Sequence, residues 1–114
     1  MQVTIVEKDG RRIFECAGPI NRPADVLDLV SAGTNEVLVE ARHLPPEFFD
    51  LRTGFAGELL QKLENYHLRV AAVFPSDEGY TERFREFLRE ARQRGRTFRV
   101  FAARDEAERW LAGA

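Results

Sequence analysis

Three short strand-like runs constrain this chain most. Phe98-Arg99-Val100-Phe101 reads as one strand, and Val37-Leu38-Val39 and Val70-Ala71-Ala72-Val73 are each too short for a buried helix and too continuously apolar for a sheet face left in water. Runs of this kind belong to strands covered on both sides, the arrangement of a parallel sheet. Between them lie helical patterns. The stretch before Asn65 carries leucines at helical spacing, and Phe84, Phe87, Leu88 and Ala91 stand at i, i+3, i+4 and i+7. After the third run, Ala107, Trp110 and Leu111 repeat that spacing, and Asp105 and Glu106 suit the positive end of a closing helix.

The N-terminal part reads differently. Val3 and Ile5, then Ile13, Phe14 and Cys16, form two strand-like runs around Asp9-Gly10, a dipeptide that favours a tight hairpin. Pro23 suits the first turn of a short helix whose apolar residues Val26, Leu27, Leu29 and Val30 precede a helix-ending Gly33. Pro45-Pro46 stops the strand over Glu36–Ala41, and Gly95 ends the helix that follows Pro75–Gly79. The predicted order is ββαβαβαβα: a mixed five-stranded α/β sheet with an antiparallel N-terminal hairpin and helices mainly on one face.

A chain of 114 residues fits one domain, residues 1–114, burying roughly 65% of its unfolded surface. Its formal charge of −2 gives no global attraction to nucleic acid, and Glu7 to Gly10 interrupt the first apolar run too early for a signal peptide. No apolar stretch approaches membrane-spanning length, so a cytoplasmic protein is expected. The single cysteine, Cys16, excludes an internal disulfide and reads as a small buried hydrophobe. No spacing supports a metal site, and no cofactor is expected. The arginines from Arg83 to Arg99 are interleaved with Glu82, Glu86 and Glu90, with Glu90 four residues before Arg94, which describes a solvated helix face rather than a nucleic-acid platform.

In sheets of this type, ligands gather beyond the carboxyl ends of the parallel strands, where Arg42, His43, Asp50, Arg52, Thr53, Ser76 and Asp77 are expected. Asp50 and Arg52 can orient a partner or an anion through charge-assisted hydrogen bonds, or bond each other. Thr53 can cap the following helix; a phosphate on it would meet backbone N–H groups and Arg52. Gly54 and Gly57 permit either a close ligand approach or close packing. Glu58, Gln61, Lys62 and Asn65 form one polar stripe, a solvated face or a recognition face. His43 with Asp50 as its orienter has no nucleophile to serve, and a structural role is favoured. His67 falls in a helix-to-strand turn.

The run from Phe48 to Lys62, with Asn65-Tyr66 and the strand Val70–Val73, resembles the bacterial family catalogued as domain of unknown function forty-one-eighty. That resemblance implies the fold and a shared surface but no substrate. Where the family often has Gly-Asp after the fourth strand, this chain has Phe74-Pro75; where it often has Glu-Ser-Asn, this chain has Glu90-Ala91-Arg92. More distantly, the layout and the tail from Phe98 to Leu111 resemble STAS domains such as anti-sigma-factor antagonists. Signalling members of that group are phosphorylated on a serine in an Asp-Ser-Ser-Gly turn, whose counterpart here is Asp50-Leu51-Arg52-Thr53-Gly54, with Thr53 the one hydroxyl.

The expectation is therefore a non-enzymatic regulatory or protein-interaction module that presents the Asp50 to Asn65 helix and its preceding loop to a protein partner. The rival is a small-anion- or nucleotide-binding protein or enzyme using His43, Asp50, Arg52 and Thr53. Oligomeric state is left open.

Overall fold

The computed structural model describes residues 1–113. Strands β1 (Val3–Lys8) and β2 (Arg11–Cys16) pair antiparallel from Val3↔Cys16 to Lys8↔Arg11. The two residues between them both have positive φ, 52° at Asp9 and 74° at Gly10. That backbone twist matches the twist of the flanking strands, which is why Asp-Gly is favoured there. Strands β3 (Glu36–Glu40), β4 (Arg69–Val73) and β5 (Phe98–Phe101) follow in parallel, giving a five-stranded sheet in the order β1-β2-β3-β4-β5.

Alternation along the strands divides the core in two. Val37 and Val39, Val70 and Ala72, and Phe98 and Val100 face a large cluster filled by Leu29 of α1 (Asp28–Ser31), Phe48 of α2 (Pro46–Phe49), Leu59 and Leu63 of α3 (Phe55–Asn65), and Phe84 and Leu88 of α4 (Glu82–Arg94). Leu38, Ala71 and Val73 point the other way, with Ile13, onto Ala107 and Leu111 of α5 (Arg104–Leu111). Helices lie mainly on one face, as the pattern predicted. Phe48 sits at the centre of the larger cluster, fully buried, with the rings of Phe49, Phe55, Phe84, Phe87 and Phe98 between 5.5 and 6.3 Å away.

Two local expectations change. The central helix does not run from Asp50; it begins at Phe55, because Gly54 adopts φ 78° and breaks the helical path after a 3-10 turn over Leu51–Thr53. The strand is not stopped by Pro45-Pro46: it ends at Glu40, where the chain turns into a 3-10 turn over Ala41–His43, and Pro46 instead starts the one-turn helix α2, where its missing N–H costs nothing. Of the apolar residues of the short helix before Gly33, Val30 is 59% exposed. The 3-10 turn over Pro23–Leu27 that leads into α1 advances about 3.0 residues per turn instead of 3.6, so the apolar face drifts before Val30 is reached. No helix among the described residues is long and apolar enough to cross a membrane.

Candidate functional site

The β3–α3 connection builds the rim from short pieces. A 3-10 turn over Ala41–His43 leaves β3, α2 follows, and a second 3-10 turn delivers Asp50, Arg52 and Thr53 to α3. Asp50 is the cap of that second turn. Its Oδ1 accepts the Arg52 backbone N–H at 3.1 Å and Arg52 Nε at 2.9 Å, while Oδ2 accepts Nη2 at 2.9 Å. The hydrogen bonds from Arg52 hold the Asp50 carboxyl below its usual range and, in return, raise the guanidinium. Of the two roles open to this pair, the structure displays mutual bonding, at an exposed position.

Thr53 is a staple. Its hydroxyl lies 2.6 Å from the Glu47 carbonyl and 2.8 Å from the Asp50 carbonyl as donor, and it accepts the Phe55 N–H at 3.2 Å. The side chain thus fastens α2 and the turn to the first residue of α3, which is the capping role extended to three partners. A phosphoester at this oxygen would have no proton for the two carbonyls.

Gly54 and Gly57 do not serve close packing. A Cβ built on either would meet nothing within 4 Å. Gly54 is explained by its left-handed φ, but Gly57 lies inside a regular helix on its exposed side. Glu58, Gln61 and Asn65 are exposed along the same side, with Gln61 Nε2 donating to Asn65 Oδ1 at 2.9 Å, and Lys62 is half-buried at the border. Phe55, Ala56, Leu59 and Leu63 occupy the opposite, buried side.

The remaining rim residues go to separate partners. Arg42 Nε bonds Glu40, and Asp77 takes both ends of the Arg92 guanidinium, whose hydrogen bonds lower the Asp77 carboxyl. His43 Nδ1 accepts the Glu40 N–H at 3.1 Å. Burial, helped by the charge of Arg42, lowers its pKa and favours neutral imidazole. With the Asp50 oxygens on Arg52 and His43 Nδ1 on Glu40, the orienter–base arrangement is not assembled. His67 follows α3 in a left-handed conformation, φ 55°. Cys16 is buried with Sγ 2.8 Å from the Gly18 carbonyl, and burial raises its pKa. Among the described residues, no group of three or more His, Cys, Asp or Glu side chains is placed to hold a metal ion.

Two cavities adjoin the Asp50–Gly54 turn. One, of about 370 Å³, is lined by Phe49, Leu51, Asp50, Arg52, Thr81 and Arg83. The other, of about 400 Å³, is lined by Pro23, Glu47, Thr53, Gly54, Phe55 and Glu58. Thr81, the cap of α4 through its bond to the Phe84 N–H, was not among the expected rim residues, although a threonine directly before Glu82 is a helix-start signal. Phe49 stacks on Tyr80 at 5.5 Å and 13°, a contact no local spacing announces.

The sheet order and the bonded turn at its rim define an α/β protein with an antiparallel edge hairpin and parallel strands behind it. The chain belongs to the family described as Domain of unknown function (DUF4180), which matches residues 8–111. No curated protein and no solved structure matches it significantly.

Proposed function

We propose that the chain works as a single STAS-like regulatory or protein-interaction module in the cytoplasm, docking a protein partner through the Asp50–Gly54 turn and the exposed side of α3. Gly57 carries this reading. An interior helical glycine costs about 0.8–1 kcal/mol relative to alanine, and no neighbour in the chain needs the space. A partner backbone approaching α3 would need it. Beside Gly57, the side chains of Glu58, Gln61 and Asn65 offer donors and acceptors, and Arg52, with Nε and Nη2 on Asp50, keeps Nη1 for a partner.

The test is affinity capture from native lysate with wild type, Gly57→Arg and Asp50→Ala/Arg52→Ala. A protein retained by wild type and lost from both variants is the expected result. Identical capture by all three would sink the reading.

The cavity holding Arg52 and Arg83 at the start of α4 supports a second reading, a small anion bound at the same rim. A thermal-shift screen with nucleotides and phosphorylated metabolites checks it, and no stabilisation by any of them counts against it.

A further inference from the structure

The sheet has two outer edges, β1 and β5, and the chain treats them differently. The β5 edge is short and closed. Val70 N–H donates to the Thr97 carbonyl and Phe74 N–H to that of Phe101, so the Phe98 carbonyl between them points outward. Gly95 lies so close to it that a Cβ there would stand 2.2 Å away, and the α4–β5 connection covers this edge with backbone.

The β1 edge is open. Ala17 N–H donates to the Gln2 carbonyl at 2.8 Å, which sets the phase of the hairpin ladder. Thr4, Val6 and Lys8 turn their backbone groups to β2, and Val3, Ile5 and Glu7 turn theirs away from it. Among the described residues no other backbone group bonds to these outward ones.

Devices that blunt an edge are missing from the first half of this strand. Its pairing runs from Val3 to Lys8 without a bulge, it has no proline, and Val3-Thr4-Ile5-Val6 are strong strand formers. Ile5 is 47% exposed beside its half-buried cross-strand neighbour Phe14, and neither joins a core cluster.

Charge indicates what fits there. At the turn end of the hairpin Lys8, Arg11 and Arg12 outnumber Glu7 and Asp9, whereas the strand start is tied through the Met1 ammonium to Asp28, whose side chain is 52% exposed. A second copy running antiparallel along β1 sets each basic turn end beside the other's acidic strand start. Outward groups pair only with outward groups, so the possible registers differ by steps of two residues. Centred on Glu7, two carboxylates oppose each other. Centred on Val6, each Glu7 lies against the other copy's Ile5, and centred on Thr4 only Val3 to Ile5 of each strand is paired. Centred on Ile5, all three outward residues bond, no like charges meet, and Phe14 and Ile5 of one copy continue into Ile5 and Phe14 of the other as one apolar row.

We propose that the chain forms a two-fold symmetric dimer by antiparallel pairing of β1 with β1 of a second copy, centred on Ile5, so that the two sheets become one.

Sedimentation velocity of the purified chain from micromolar to millimolar concentration, with NMR amide exchange over the same range, tests the proposal. A monomer–dimer equilibrium is expected, with exchange at Val3, Ile5 and Glu7 slowing as the dimer forms. Ile5→Pro deletes the N–H that bonds across the axis and, because that N–H faces away from β2, no bond of the hairpin itself. This variant and Ile5→Lys are each expected to weaken dimerisation by about tenfold or more, the scale of two lost hydrogen bonds. Amide exchange in the wild type reads the interface even where a variant misfolds. A monomer throughout the range, a dimer that leaves those three amides in fast exchange, or dimerisation undiminished in Ile5→Lys overturns the proposal. Gly57→Arg is expected to dimerise as wild type does, so the dimer and the docking surface on α3 fail or stand separately.

Discussion

Arg52 closes on Asp50 at two points, 2.9 Å to each carboxylate oxygen, while its own backbone N–H holds the same oxygen that Nε does. A pair three atoms deep is oriented before any partner arrives, yet it is exposed to solvent, where ion pairs add little to stability. Asp50→Ala/Arg52→Ala is therefore expected to leave the urea midpoint close to wild type while changing what the chain captures. A large loss of stability would show that the pair is needed for the turn itself.

Thr53 tests the opposite balance. Thr53→Val keeps the shape and loses a hydroxyl with three backbone partners, and equilibrium unfolding is expected to show a loss of about 1–2 kcal/mol. Thr53→Ser restores most of it. Thr53→Glu, mimicking phosphorylation, is expected to expose the α2–α3 connection to hydrogen exchange, since a carboxylate repels the Glu47 and Asp50 carbonyls.

Gly57 inside α3 and Gly54 just before it are expected to respond in opposite directions. Gly57→Ala fills open space in a helix and raises stability by up to about 1 kcal/mol. Gly54→Ala forces a side chain into φ 78° and costs about 1–2 kcal/mol. Denaturant titrations of the two variants side by side give the sign directly.

His43 makes stability depend on pH with a fixed sign. Its pKa is lower in the folded chain than the ordinary value near 6.5, so the unfolded chain binds the proton more readily. The contribution is present above about pH 6.5 and is lost as pH falls toward the folded value. Melting curves from pH 7.5 to 5 are expected to show that decline, and His43→Gln to flatten it.

Gly95 has an ordinary φ of −61°, so any residue fits its backbone but none fits its surroundings. A Cβ there would stand 2.2 Å from the Phe98 carbonyl oxygen and 2.5 Å from that of Ala91. Both are backbone atoms, and moving them separates the end of α4 from β5. Gly95→Ala is expected to cost about 1–3 kcal/mol or more, the range of overpacked sites, measured as a drop in melting temperature.

Strands and the hairpin are the parts most plainly written in the residues. Asp9-Gly10 names its own turn, and Val37-Leu38-Val39 can be buried on both sides only inside a sheet. What resists reading is whatever depends on distance along the chain. Phe48 and Phe49 look like ordinary helix residues until Phe84, Phe98 and Tyr80 are brought to them. At the rim, Asp50 and Arg52 are two residues apart and their pairing is foreseeable, whereas Asp77 and Arg92 are fifteen apart and meet only because α4 folds back along the sheet. Helical periodicity also hides the break at Gly54, since it reports which residues share a face and is silent about φ.

The bond between Lys8 and Glu108 joins residues 100 positions apart. During synthesis, which adds about 5–20 residues per second from the N-terminus, the hairpin waits several seconds for the helix that will seal its inner face. Until Ala107 and Leu111 leave the ribosome, Leu38, Ala71 and Val73 have water or a chaperone for company. One half of the core can condense early around Phe48, and the other half closes only once α5 has emerged, so nascent chains halted before α5 should be the aggregation-prone species of this protein.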